Sequence, residues 1–206
     1  MPKILAWTEE ALTISALRDR QYQPSNGIDV PDRALASTTG AQSNGVLRVV
    51  FFTPTRTLTV SNFTIACTTG ALDTGGGTTV RRMGLFTYNS GAGTITCVAR
   101  SANDANLGQT SSTLYTKAFT SEAGYSSSYT IVAGTTYAAG VLFYNTGGTF
   151  AGPTLASISP PSGTILFNNT SLLPLIVGGA TGQTDITNSP VTLGTTVGAA
   201  PYIRLT

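Results

Sequence analysis

Residues 80–100 read VRRMGLFTY, then NSGAG, then TITCVAR, and this stretch decides the fold class. Two runs of β-branched, aromatic and aliphatic side chains flank a cluster of turn formers, so 80–88 and 94–100 read as a hairpin. The same signature continues on both sides. Upstream, Asn44-Gly45 is a turn signal that opens a run over 46–52, and residues 55–67 alternate between Thr and larger side chains. Within that segment the apolar phase slips by one residue at Ser61-Asn62, from Leu58 and Val60 to Phe63, Ile65 and Cys67. A slip of this kind predicts a bulge or bend. Downstream, 113–120, 129–133, 135–145, 164–167, 173–177 and 202–205 complete a set of about nine strands separated by Gly, Ser, Asn and Pro clusters. The fold class expected is all-β: an antiparallel two-sheet β-sandwich, jelly-roll-like, with no helices interposed between strands as a parallel α/β sheet would need.

Composition agrees with that reading. Of 206 residues, 36 are Thr and 23 are Gly, which are poor helix formers, and Thr suits a pleated surface. Eleven basic and nine acidic side chains cannot supply a basic face, which argues against nucleic-acid binding. No His is present, so the commonest general base and metal ligand is missing, and no cofactor is expected. Cys67 and Cys97 each alternate in phase with apolar neighbours and read as small core residues rather than a disulfide.

The charges divide the chain. Residues 1–33 carry nine of the 20, and residues 34–206 carry the other eleven. This predicts a polar N-terminal arm and linker over 1–33 followed by a weakly charged sandwich body over 34–206. Thr8, Glu9 and Glu10 with Arg18 and Arg20 fit a capped, dipole-matched helix over 9–19. Leu12, Ile14 and Ala16 would equally alternate as a strand. Residues 21–32, with Pro24, Asn26-Gly27 and Pro31, read as extended linker. An arm with so little local core either packs on its own body or docks on a neighbouring subunit, and the candidate assembly residues are Leu5, Trp7, Leu12, Arg18 and Arg20. The N-terminus does not read as a secretory signal, and no apolar run is long enough for a transmembrane helix or membrane insertion.

Candidates for chemistry are few. The body carboxylates Asp73, Asp104, Glu122 and Asp185 lie in loops rich in Gly, Ser or Asn, where turn hydrogen bonding is the simplest role. A glycosidase pair or a calcium site at Asp73, Asp104 or Asp185 would need partners that spacing does not supply. Gly75 to Gly77 lack the Lys and Ser/Thr of a phosphate loop. Of the adjacent Arg81 and Arg82, one side chain must face the core or an inter-strand edge, and the simplest reading has one snorkelling and one solvated. Tyr88, Tyr115, Tyr125, Tyr129, Tyr137 and Tyr144 crowd the middle of the chain, beside Asn and Ser. Such rings suit sugar stacking or a protein interface, so Arg81, Tyr88, Tyr115, Tyr125 and Tyr129 are the candidate surface-binding set. Asn62, Asn168 and Asn169 open N-x-S/T triplets, which carry meaning only in a protein secreted by a eukaryote.

Five stretches, the first within the hairpin, carry a resemblance: RRMGLF at 81–86, VARSAND at 98–104, AGTTYAAGV at 133–141, and the flanking TRTLTV at 55–60 and PLIVGG at 174–179. Together they resemble β-sandwich proteins of tailed-bacteriophage virions, including those of actinobacterial hosts, found as head-decoration or minor tail proteins. The resemblance spans about residues 40–206. It implies a non-enzymatic virion structural protein, assembled in the bacterial cytoplasm and placed on the virion surface. Its expected partners are the major capsid protein or tail proteins, and the low-charge strands suit further copies of itself, clustered as a trimer or another small cyclic oligomer. The alternative it implies is a tail-associated adhesin binding a host cell-surface glycan. The resemblance brings no catalytic residues with it.

Overall fold

The slip at Ser61-Asn62 is where the chain leaves one sheet for another. The N–H groups of Ser61 and Asn62 both donate to the Thr206 carbonyl, at 2.7 and 2.8 Å, and two successive donors on one acceptor make a β-bulge. The computed structural model describes residues 27–30, 38–71, 77–158, 177–194 and 199–206. The expected arm helix over 9–19, the assembly candidates Leu5, Trp7, Leu12, Arg18 and Arg20, the expected strand 164–167 and most of 173–177 lie outside the described residues.

Among the described residues the strands are β1 (Ile28–Val30), β2 (Thr38–Ala41), β3 (Leu47–Phe52), β4 (Leu58–Val60), β5 (Asn62–Thr69), β6 (Thr79–Asn89) and β7 (Thr94–Arg100), followed by β8 (Thr113–Ala118), β9 (Tyr129–Ile131), β10 (Tyr137–Asn145), β11 (Thr154–Ile158), β12 (Val177–Ala180), β13 (Val191–Thr192), β14 (Ala200–Pro201) and β15 (Ile203–Leu205). They form a seven-stranded sheet with the path β1-β15-β5-β11-β14, to which β8 adds beside β5 and β2 beside β11. A six-stranded sheet has the order β12-β3-β10-β6-β7-β13, and β4 pairs with β9 alone. All the pairings are antiparallel, as the all-β sandwich reading requires.

The hairpin that opened the sequence reading is β6-β7. Asn89 Oδ1 accepts the N–H groups of Gly91 and Ala92, and Gly93 takes φ +63°, a region glycine enters without strain. One correction falls on the segment expected as linker. Residues 28–30 are extended but paired, with Ile28 opposite Leu205 and Val30 opposite Ile203. Their side chains are 3% and 0% exposed, so this part of the expected arm is built into the sandwich.

Two apolar clusters result. The main core lies between the sheets, where Phe63, Ile65, Leu205 and Ile203 meet Val50, Met83, Leu85, Val141 and Phe143. The second lies on the other face of the six-stranded sheet and contains Leu47, Val49, Phe86, Ile95, Leu142 and Ile186. That sheet curls so that its two edge strands meet. The Gly194 N–H donates to the Gly179 carbonyl at 2.8 Å, joining the end of β13 to β12. Closing a sheet on itself removes its open edges and makes its concave face a second interior. Gly84 and Gly140, directly opposite each other on β6 and β10, leave the notch the Phe86 ring fills. A Cβ on Gly84 would come within 2.7 Å of that ring, and one on Gly140 within 2.5 Å of Val49.

Candidate functional site

Alternation along β6 sends Arg81 and Arg82 to opposite faces, but neither is solvated. Arg81 points between the sheets, is 1% exposed, and donates to the Leu107 carbonyl at 2.8 Å. It is therefore withdrawn from the surface-binding set: no external ligand meets it. Arg82 points into the curled sheet's mouth, where it meets Arg100 from β7. Arg82 Nε lies 2.8 Å from Asp185 Oδ1 and Arg100 lies 3.3 Å from Asp185 Oδ2. Both guanidiniums also donate to backbone carbonyls, Arg82 to Ser101 and Arg100 to Ile186. Tyr125 covers Arg100 with its ring centroid 4.6 Å from the guanidinium carbon, and Glu122 stands 3.9 Å from Arg82. The cluster pins the loop at 185–186 across the mouth, with Ile186 buried behind it. Its chemistry is spent inside the protein.

Beneath this cap lies Cys97, whose thiol burial pushes up to about 12, against the opposing pull of a hydrogen bond from Tyr125 and the nearby Arg100. The Tyr125 hydroxyl is likewise pushed up to about 12, by burial first and by Cys97 second. Cys67 and Cys97 are free thiols, in the main core and in the curled sheet's interior respectively. A raised pKa means the folded state keeps a proton that the unfolded chain releases, so this contribution is full below the ordinary thiol value of 9.0 and fades as pH rises towards 12. The denaturation midpoint should therefore fall between pH 9 and pH 11, and at pH 8 a thiol reagent should label Cys97 only after denaturant is added. A pH-independent midpoint with rapid native labelling would show a solvated thiol instead.

The remaining carboxylates are also engaged. Asp104 pairs with Lys117 at 2.5 Å and accepts the Asn106 N–H; burial raises its pKa, but these two partners outweigh it and hold the carboxyl below its usual range. Asp29 accepts the Tyr202 hydroxyl at 2.8 Å. Asp73 lies outside the described residues, and among the described residues no group of three His, Cys, Asp or Glu side chains is placed to hold a metal ion.

The tyrosines do not converge. Tyr88 stacks edge-on against Phe51 inside the curled sheet, and Tyr125 covers Arg100. Tyr129 meets Tyr137 at 6.2 Å beside the small β4-β9 sheet, and the Tyr115 hydroxyl accepts the Thr110 N–H beside β8. All four are half-buried, in separate places.

Among the described residues, the outer face of the seven-stranded sheet is most open at β8, where Leu114, Thr116 and Ala118 are exposed. The six-stranded sheet is covered on both faces, whereas β5 and β8 present Asn62, Thr64, Ala66, Leu114, Thr116 and Ala118 outward. Leu114 is 69% exposed, the most exposed large apolar side chain among the described residues. Thr64 and Thr116 join across the strands at 2.8 Å, and Arg204 and Asp29 on the neighbouring strands face each other at 3.9 Å. The result is a flat, nearly neutral surface of hydroxyls and small apolar groups. Residues 113–118 gave only a generic strand pattern, so sequence carried no sign that this strand would be an edge.

No protein-family model matches the chain, and no curated protein matches it.

A groove of about 610 Å³ lies beside the seam between β12 and β13, lined by Gln183, Thr187, Ser189 and Thr192 among others. No helix among the described residues is long and apolar enough to cross a membrane.

Proposed function

We propose that this chain is a non-enzymatic structural protein of a tailed-bacteriophage virion, a jelly-roll-like sandwich that decorates the outside of the capsid head, with the major capsid protein as its partner. The observation that carries the reading is the open face around Thr64, Thr116 and Leu114. It offers hydrogen bonds and apolar contact with little charge, while Asp29, Asp104 and Asp185 are tied to partners within the fold. Copies crowded on a shell repel one another little through such a face, and modest contacts multiply when many are made together. Residues 1–26 supply the second attachment, through Leu5, Trp7 and Leu12.

The test is the protein's location in purified particles. A decoration protein stays with tail-less heads at a copy number comparable with the major capsid protein. Confinement to tails at a few copies per particle would overturn the proposal. In that event a tail adhesin becomes the reading, with the neutral groove at Gln183 and Ser189 as its glycan site and binding of the purified chain to host cells as its check.

A further inference from the structure

We propose that the groove beside the seam of the curled sheet binds a neutral oligosaccharide, holding it by its hydroxyl groups. The inference goes beyond the decoration reading and applies to a chain on heads or on tails. Location in particles is read by a separate experiment, so either proposal can fail without the other.

The groove exists because the seam closes at a single bridge. The Leu193 N–H donates to the Gly93 carbonyl, and Val191 stands opposite Ile95 in the same phase, so the odd-numbered residues of β13 face β7. The N–H and C=O groups of Thr192 and Gly194 therefore point towards β12. Gly194 finds the Gly179 carbonyl there. The next residue along β12 in that phase is Thr181, but the chain has already turned off. The Gln183 N–H donates to the Gly45 carbonyl, and the Thr181 carbonyl accepts the Gln183 side-chain amide at 3.2 Å. The two edges diverge and leave about 610 Å³ between them. Thr192 lines that space with a backbone N–H and C=O that have no partner among the described residues.

The lining selects the ligand. Among the described residues no charged side chain and no aromatic ring lines the groove, and Asp185 on the neighbouring loop is turned to Arg82 and Arg100. An ionic ligand would give up hydration with no opposite charge to replace it. The hydroxyls of Thr187 and Ser189 and the Oε1 of Gln183 have no partner among the described residues. A hydroxyl both donates and accepts, which matches the hydroxyls of a sugar in either role. An added peptide strand fits less well. Two residues before Thr192 stands Pro190, which has no N–H, so this edge offers a strand only one full pair of hydrogen bonds. With no ring to stack on, the sugar is held by neutral hydrogen bonds, each modest because it replaces one to water. The site is therefore weak in a single copy and effective where many copies display it together.

The probes are cellotriose, mannotriose and triacetylchitotriose, with trigalacturonate as the acidic control. Titrated to about 10 mM into the full chain and followed by amide NMR, at least one neutral probe should shift the Thr192 resonance, and trigalacturonate should not. Thr187→Val combined with Ser189→Ala should weaken that binding about fivefold or more. Both residues are exposed, so the thermal transition should stay unchanged. Ser189→Trp, which fills the groove, should abolish the shift. Silence at Thr192 with all three neutral sugars would overturn the proposal. So would equal binding of trigalacturonate, or binding that survives both variants in a folded protein.

Discussion

Removing residues 1–26 should leave a folded sandwich, whereas removing 1–33 should unfold it or bring its stability close to zero. The second deletion takes β1, and with it Ile28 and Val30, which are 3% and 0% exposed in the main core. Burying such side chains is worth about 1.5–3 kcal/mol each, so about 3–6 kcal/mol goes with them. A domain has roughly 5–15 kcal/mol in total. The deletion also strips Tyr202 and Arg204 of Asp29, at 2.8 and 3.9 Å, and bares the edge of β15. Denaturant melts of the two truncations make the comparison. Equal midpoints would mean that the β1-β15 pairing contributes nothing. The shorter deletion is also the one that tests attachment: a folded chain lacking residues 1–26 should fail to join heads, and one that still joins them would exclude the arm as anchor.

Asp185→Asn should be the most damaging single polar substitution. The amide keeps the shape of the carboxylate but leaves Arg82 and Arg100, about a tenth exposed or less, facing each other with Glu122, 3.9 Å from Arg82, as the remaining counter-charge among the described residues. Breaking a buried pair costs about 3–5 kcal/mol, and because the Asp185 carboxylate keeps a third of its surface, roughly 2–3 kcal/mol is the expected loss. Arg100→Met alone should cost less, since it removes a charge rather than orphaning one. Combined with Asp185→Asn it should cost less than the sum of the two single changes. A loss under about 0.5 kcal/mol for Asp185→Asn would show that carbonyls and water suffice for both guanidiniums.

Sequence exposed those parts of the fold whose pattern is local. The slip at Ser61-Asn62 was visible because a one-residue change of phase has few structural causes, and the bulge onto Thr206 is one of them. The β6-β7 hairpin was visible through its turn residues. The strands β1, β2, β11 and β14 escaped because each is only two to five residues long and begins among Pro, Gly or Thr. Pairing with distant partners makes them strands, and a short window holds no trace of it. Arg81 and Arg82 failed the expectation of solvation for the same reason. What allows their burial, the Leu107 carbonyl and Asp185, stands 26 and 103 positions away respectively (107 − 81 and 185 − 82). The tyrosines crowd the sequence but not the surface, because β6, β8 and β9 belong to three different sheets.

The pairing of residues 28–30 with 203–205 also governs timing. At about 5–20 residues per second, a ribosome needs roughly 9–35 s to pass from the earlier partner to the later one (203 − 28 residues). Through that interval the seven-stranded sheet lacks β15, and β5 lacks the carbonyl of Thr206 that sets its bulge. Contacts so far apart in sequence make folding slow and late. The open face therefore takes its final form only when translation has passed residue 206, and a growing chain cannot yet dock through it.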